Sequence, residues 1–157
     1  MPLITALLHT ENDALRLGRT LQTLLPCEEI IIVDHHSHDT TLRIAREYGA
    51  RVVVAERSRP LEHYRELARH DWILSLEPRE SLTENLEATL LEWKSLNAVE
   101  AGVLAFSVLL REETPTGWFS NPTPQPRLVS REWRGRLQAS HPSAPLLEGE
   151  LLHFALP

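Results

Sequence analysis

The sequence predicts an α/β domain with a mostly parallel sheet flanked by helices and a small mixed or antiparallel C-terminal part. Three observations carry this. Ile30 to Val33 form an unbroken β-branched apolar run, the mark of a short strand buried on both faces. The run stops at Asp34, crosses the polar loop His35-His36-Ser37-His38-Asp39, and enters a helical pattern from Thr41 that Gly49 closes. Finally, the first ~55 residues read strand-helix-strand-helix-strand, which calls for parallel pairing through right-handed crossovers. Ligands of such sheets bind at the carboxyl ends of the strands, so the loop after Asp34 is a candidate site.

A chain of 157 residues, 42% apolar and 24% charged, favours one soluble globular domain over residues 1–157. The formal net charge of -6, with no basic run, argues against a nucleic-acid partner. Cys27 is the only cysteine, which excludes an internal disulfide and a cysteine metal site and makes the reducing cytoplasm the expected compartment. The N-terminus lacks the basic region of a signal peptide. No stretch reaches the ~18 apolar residues of a spanning helix, so membrane association is expected to be peripheral at most.

In order, Leu3 to Leu8 reads as the first strand, followed by a polar loop through Asp13. Thr10 or Asn12 is placed to cap a helix carrying Leu15, Leu17, Leu21, Leu24 and Leu25, which Pro26 ends. After the central strand and helix, Arg51 to Ala55 is a third strand and Leu61 to His70 a short helix. Asp71 to Leu76 is a fourth strand, ending in Glu77-Pro78-Arg79-Glu80. Ser81 to Leu96 is an amphipathic helix opened by a capping box, Ser81 with Glu84 or Thr83 with Glu87. Gly102 to Leu110 is a strand, and Thr114 to Pro126, rich in Pro, Gly and Ser, reads as a loop. Arg127 to Ser130 reads as one more strand, and Trp133 to Leu137 and Glu150 to Phe154 as paired edge strands.

Three motifs, in order and at consistent spacing, resemble the nucleotide-sugar-binding half of family 2 glycosyltransferases, which have the GT-A fold. The first strand runs into Thr10, Asn12 and Asp13. The second keeps Asp34, Ser37, Asp39, Thr41, Ile44, Ala45, Gly49, Ala50 and Val52. The fourth keeps Asp71, Trp72, Leu74, Leu76 and Glu80. The short bacterial branch associated with lipopolysaccharide-core sugar transfer is the nearest match, and Leu151-Leu152-His153-Phe154 looks like its terminal element.

The resemblance implies a division of labour. Residues 1–100 would form the nucleotide-sugar half and 101–157 a shortened acceptor side. Asp34 and Thr10 would lie against the base, with Asn12, Ser37 and Asp39 in the same donor site. The family's Asp-x-Asp motif holds a divalent cation, Mg²⁺ or Mn²⁺, against the donor diphosphate. Here it reads Glu77-Pro78-Arg79. Glu77 can offer oxygen ligands. Arg79 cannot ligate a metal but can meet a phosphate bidentately. The family's Arg-Asn or Lys-Asn pair near the diphosphate is replaced by Leu61 and Glu62. No residue matches the catalytic base.

The histidines open a second reading. His9, His35, His36, His38, Glu77 and Glu80 all follow strands that neighbour one another in such a sheet, and His35 and His38 with Glu77 are candidate metal ligands. His36 stands where the family has Gly, a position that favours φ > 0, which predicts a reshaped base pocket. Trp72 and Trp93 read as core residues, whereas Trp118 and His141 are the acceptor-side candidates. Three functions follow: transfer of a sugar from a nucleotide-sugar donor to a cell-envelope glycan or lipid-linked acceptor; a catalytically degenerate relative that binds a nucleotide, a glycan or a partner; or a histidine-based metal-binding module.

Overall fold

A computed structural model describes residues 1–96, 102–135 and 144–155. Its strands are β1 (Ile4–Thr10), β2 (Glu29–Asp34), β3 (Arg51–Val54), β4 (Trp72–Ser75), β5 (Glu80–Leu82), β6 (Ala105–Thr114), β7 (Gly117–Ser130) and β8 (Leu146–His153). Helices α1 (Ala14–Leu21), α2 (Thr41–Glu47) and α3 (Glu84–Leu96), and a 3-10 turn over Leu61–Leu67, connect them. All the strands belong to one sheet, ordered β3-β2-β1-β4-β7-β6-β8-β5. The β3-β2-β1-β4 half is wholly parallel. Beyond it, β4–β7, β7–β6 and β8–β5 are antiparallel and β6–β8 is parallel. Among the described residues, no helix is long and apolar enough to cross a membrane.

The sheet separates two cores, and strand periodicity assigns residues to them. Ile4, Leu8, Ile32, Leu74 and Leu128 face one side, with Leu17, Leu21, Ala45, Leu86 and Leu90 of the helices. Leu7, Ile31, Val33, Ile73 and Val129 face the other, with Tyr64 and Trp133. Trp72 and Trp93 are core residues, as expected, and pack edge-to-face with Phe106 beside them. Gly49 closes α2 at φ 77 in the left-handed conformation its position predicts.

Several sequence expectations are corrected. Neither Thr10 nor Asn12 caps α1: Thr10 is buried against Asp34, and Asp13 occupies the cap position without a side-chain cap bond. Leu15 and Leu25 are exposed rather than part of the helix's apolar face. Of the two capping alternatives, Thr83 rather than Ser81 opens α3: its Oγ1 accepts from the Leu86 amide and its carbonyl from the Glu87 amide. Ser81 instead sits in β5, a three-residue strand that the capping pattern disguised. The stretch Thr114 to Pro126 is strand rather than loop. β7 advances from Asn121 to Gln125 while β6 moves only from Leu110 to Val108, so Pro122 and Pro124 fall in a bulge outside the ladder. β8 pairs with β6 and β5, not with the segment after Trp133, which is irregular through 135.

Candidate functional site at the ends of β1 and β4

Register brings three strand ends to one rim. Thr10 lies beside Asp34, and Leu7 beside Ser75, so the segments after β1, β2 and β4 emerge together. The β1 and β2 loops are stitched to each other. Asp34 is 2% exposed; its Oδ1 accepts from Thr10 Oγ1 at 2.7 Å and Ser37 Oγ at 2.6 Å, and its Oδ2 from the Ser37 amide at 2.9 Å. Ser37 Oγ in turn accepts from the Asn12 amide, and Asn12 Oδ1 from the His38 amide. Asp39 accepts from the Ala14 and Thr41 amides, and Thr41 Oγ1 accepts from the Asp13 amide. These contacts hold Asn12 and His36 at φ 52 and 57. His36 is exposed and keeps the left-handed backbone that predicted a glycine, so the substitution does not reroute the loop.

Below this rim lies a cleft of about 770 Å³, lined by His9 and Thr10 of β1, His35, the 3-10 turn residues Leu61, Glu62 and Arg65, the strand end Ser75 to Arg79, and Arg16 and Arg127. Such a volume suits a ligand of drug or cofactor size. The far wall is an ion-pair network. Glu80 is fully buried and meets Arg127 bidentately, Nη1 to Oε1 at 2.6 Å and Nη2 to Oε2 at 3.1 Å. His153 Nδ1 lies 2.9 Å from Glu80 Oε2 and 3.3 Å from Glu77, and the Glu77 amide donates to Glu80 Oε1. Burial alone would push the Glu80 carboxyl up; the His153 hydrogen bond and the Arg127 charge outweigh it and hold the group below its ordinary range. The same Glu80 bond raises His153, against its partial burial and the charge of Arg79.

On the opposite wall His9 Nδ1 is 2.9 Å from His35 Nε2 and edge-on to Tyr64. Burial, then the neighbouring imidazole, lowers the His9 pKa to about 4, so it is neutral at pH 7. Arg65 is 6% exposed; its Nη1 donates to the Trp133 carbonyl, and it has no ion-pair partner among the described residues. Burial lowers its pKa, with Glu62 acting in the opposite sense and Arg134 in the same. Arg79, partly buried, likewise has no ion-pair partner among the described residues.

The candidate residues thus separate. Thr10, His35, Glu77 and Arg79 line the cleft. Asp34, Ser37, Asn12 and Asp39 form the clamp beside it. His36 and His38 are exposed, and the six-residue gathering of histidines and glutamates at one rim does not form; Glu77 and Glu80 meet His153 instead. Trp118 is 42% exposed and packs edge-on to Phe154, away from the cleft lining. His141 lies outside the described residues. Sequence reasoning missed the Glu80–Arg127 pair, formed across 47 positions, and Arg65. A sign of Arg65 was present: it follows Tyr64 and precedes Leu67 and Ala68 in an otherwise inward-facing set.

The chain has counterparts among known proteins. A relative from Rickettsia felis named an uncharacterized glycosyltransferase is 33% identical over 95 residues, 55% of this chain and 32% of its own. Another from Rickettsia conorii is 30% identical over 92 residues, 54% of this chain and 31% of its own. The glucosyl-3-phosphoglycerate synthase of Mycobacterium tuberculosis, solved with Mn²⁺, UDP and phosphoglyceric acid, superposes over 83% of this chain and 56% of its own at TM-score 0.57 and 17% identity. TarS of S. aureus does so over 77% and 23%, at TM-score 0.55 and 16% identity. The chain has the GT-A fold, and its curated relatives are named glycosyltransferases. It spans about a third of the length of the curated relatives it matches. No protein-family profile matches it.

The Mycobacterium tuberculosis synthase was solved with Mn²⁺, and among the described residues here the group with metal-ligand chemistry is Glu77, Glu80 and His153. It does not fit. Both Glu80 oxygens are taken by Arg127, with His153 and the Glu77 amide as further partners, which fills the acceptor positions of a carboxylate. His153 spends Nδ1 on the same carboxylate and is biased toward its protonated, non-ligating form. Glu77 remains as a lone ligand.

Proposed function

We propose that the cleft holds a nucleotide-sugar donor and that the protein transfers its sugar to a cell-envelope glycan or lipid-linked acceptor at the cytoplasmic side. In this reaction the bond from the anomeric carbon to the diphosphate breaks, and the diphosphate leaves with the electron pair. The acceptor oxygen bonds to that carbon, and its proton passes to a general base. The diphosphate gains charge as it leaves, so the site must supply positive charge there. The observation that carries this reading is the cleft itself, at the carboxyl ends of parallel strands, with Arg79 at the position of the family's second metal-binding aspartate. The clamp Asp34-Ser37-Asn12 then shapes the base-side rim, and Thr10 and His35 face the ligand. The relatives' names agree with the reaction class.

A second reading is favoured by one observation: Arg79 stands in the metal motif and the neighbouring Glu80 is taken up by Arg127, so the site lacks a free pair of carboxylates for a cation. In that reading the chain binds the nucleotide without turning it over. Calorimetric titration with UDP, followed by a UDP-sugar turnover assay with cell-envelope lipid extract as acceptor, separates the two. Binding with sugar transfer supports the transferase. Binding without release of sugar supports the binding module. No binding of UDP, with or without Mn²⁺, contradicts both.

A further inference from the structure

A buried guanidinium without a carboxylate is costly, because its desolvation is not offset by a counter-charge. Arg65 is in that position at the cleft wall: it donates to the Trp133 carbonyl, across 68 positions, and its guanidinium lies over the Trp133 ring at 5.5 Å, but no carboxylate pairs with it among the described residues. Two other cleft arginines carry ion pairs: Arg127 with Glu80 and Arg16 with Asp13 at 3.1 Å. Arg79, from the opposite strand end, is the other cleft arginine with no ion pair among the described residues. The unpaired carboxylates of the lining, Glu11 and Glu62, are exposed, where water weakens them, and the pull of Glu62 on Arg65 is smaller than the effect of burial. Positive charge is therefore left over on the inner surface of the cleft. The group with metal-ligand chemistry found beside it among the described residues is closed by the Glu80–Arg127 pair.

We infer that Arg65 and Arg79 form a metal-free cradle for the diphosphate of the ligand, replacing both the cation and the Arg-Asn pair that Leu61 and Glu62 displaced. This rests on the donor reading only for the remainder of the ligand; the ligand class it names is a diphosphate anion. Guanidinium forks match phosphate oxygens bidentately, and an anion seated between two of them would supply the counter-charge that Arg65 lacks.

The test is calorimetry and thermal unfolding with inorganic pyrophosphate in excess EDTA, on wild type, Arg65→Met and Arg79→Met. Pyrophosphate should bind the wild type without metal, raise its Tm, and bind at least tenfold more weakly to each variant. Arg65→Met should also leave the Tm of the free protein unchanged or higher, since it removes an uncompensated charge while keeping an apolar stem. A merely structural Arg65 predicts the reverse: a lower Tm with anion binding intact. Arg79→Met sits on the strand end and is the safeguard if Arg65→Met fails to fold. No pyrophosphate binding in EDTA, binding only with Mn²⁺, or binding unaffected by Arg79→Met overturns the inference. If pyrophosphate binds but UDP does not, the cradle stands and the nucleotide-sugar reading falls. If UDP binds only with Mn²⁺, the donor reading stands and the cradle falls.

Discussion

The two walls of the cleft each bury one carboxylate, and they neutralise it differently. Asp34, on the β2 side, accepts only from hydroxyls and an amide. Glu80, on the β4 side, is held by a guanidinium and an imidazole. The first is a neutral clamp that fixes loop geometry. The second is a charged network whose strength depends on pH and on every member being present. Neither carboxylate lines the cleft, so the cleft arginines Arg65 and Arg79 are left without an ion pair among the described residues.

That contrast can be broken in order of expected effect. Glu80→Gln should be the most damaging change, destabilising by about 3–5 kcal/mol, because it strands the buried Arg127 charge. Urea unfolding of the variant measures this; a loss under about 1 kcal/mol would mean the pair is not desolvated. Asp34→Ala should cost less, about 1–3 kcal/mol, since it leaves neutral donors unsatisfied.

The two histidines should titrate stability in opposite senses. His9 has its folded pKa lowered to about 4, so the unfolded chain binds a proton first, and stability falls as pH drops from about 6.5 toward 4. His153 is raised, so its contribution is present below about 6.5 and lost as pH rises through its higher folded value. Tm against pH for His9→Phe and His153→Gln should each flatten one limb and spare the other. The smallest effect is expected at His36, held at φ 57: His36→Gly should stabilise by up to about 1 kcal/mol, readable as a small Tm increase.

The parallel half was legible in the sequence because its strands are buried on both faces and separated by strong helix and loop signals. Ile30 to Val33 and Gly49 needed no tertiary information. The antiparallel half was not. β7 carries Pro122 and Pro124, which read as loop until the partner strand shows the bulge that excludes them. β5 begins where Ser81 and Glu84 imitate a capping box. At the site, the strand-end residues Thr10, Glu77 and Arg79 were visible as a motif. The direction of the Asp34 carboxylate was not, because it depends on Thr10 and Ser37 reaching it across two loops. Arg65 and Arg127 derive their meaning from partners far along the chain or from having none, which no local pattern encodes.

The most direct test is a crystal structure of the protein grown with UDP in EDTA. The account predicts UDP in the cleft beneath the Asp34 clamp, with its diphosphate between the Arg65 and Arg79 guanidinium groups and the Glu80–Arg127 pair unbroken. UDP bound elsewhere on the chain, or a diphosphate in contact with neither arginine, would contradict it.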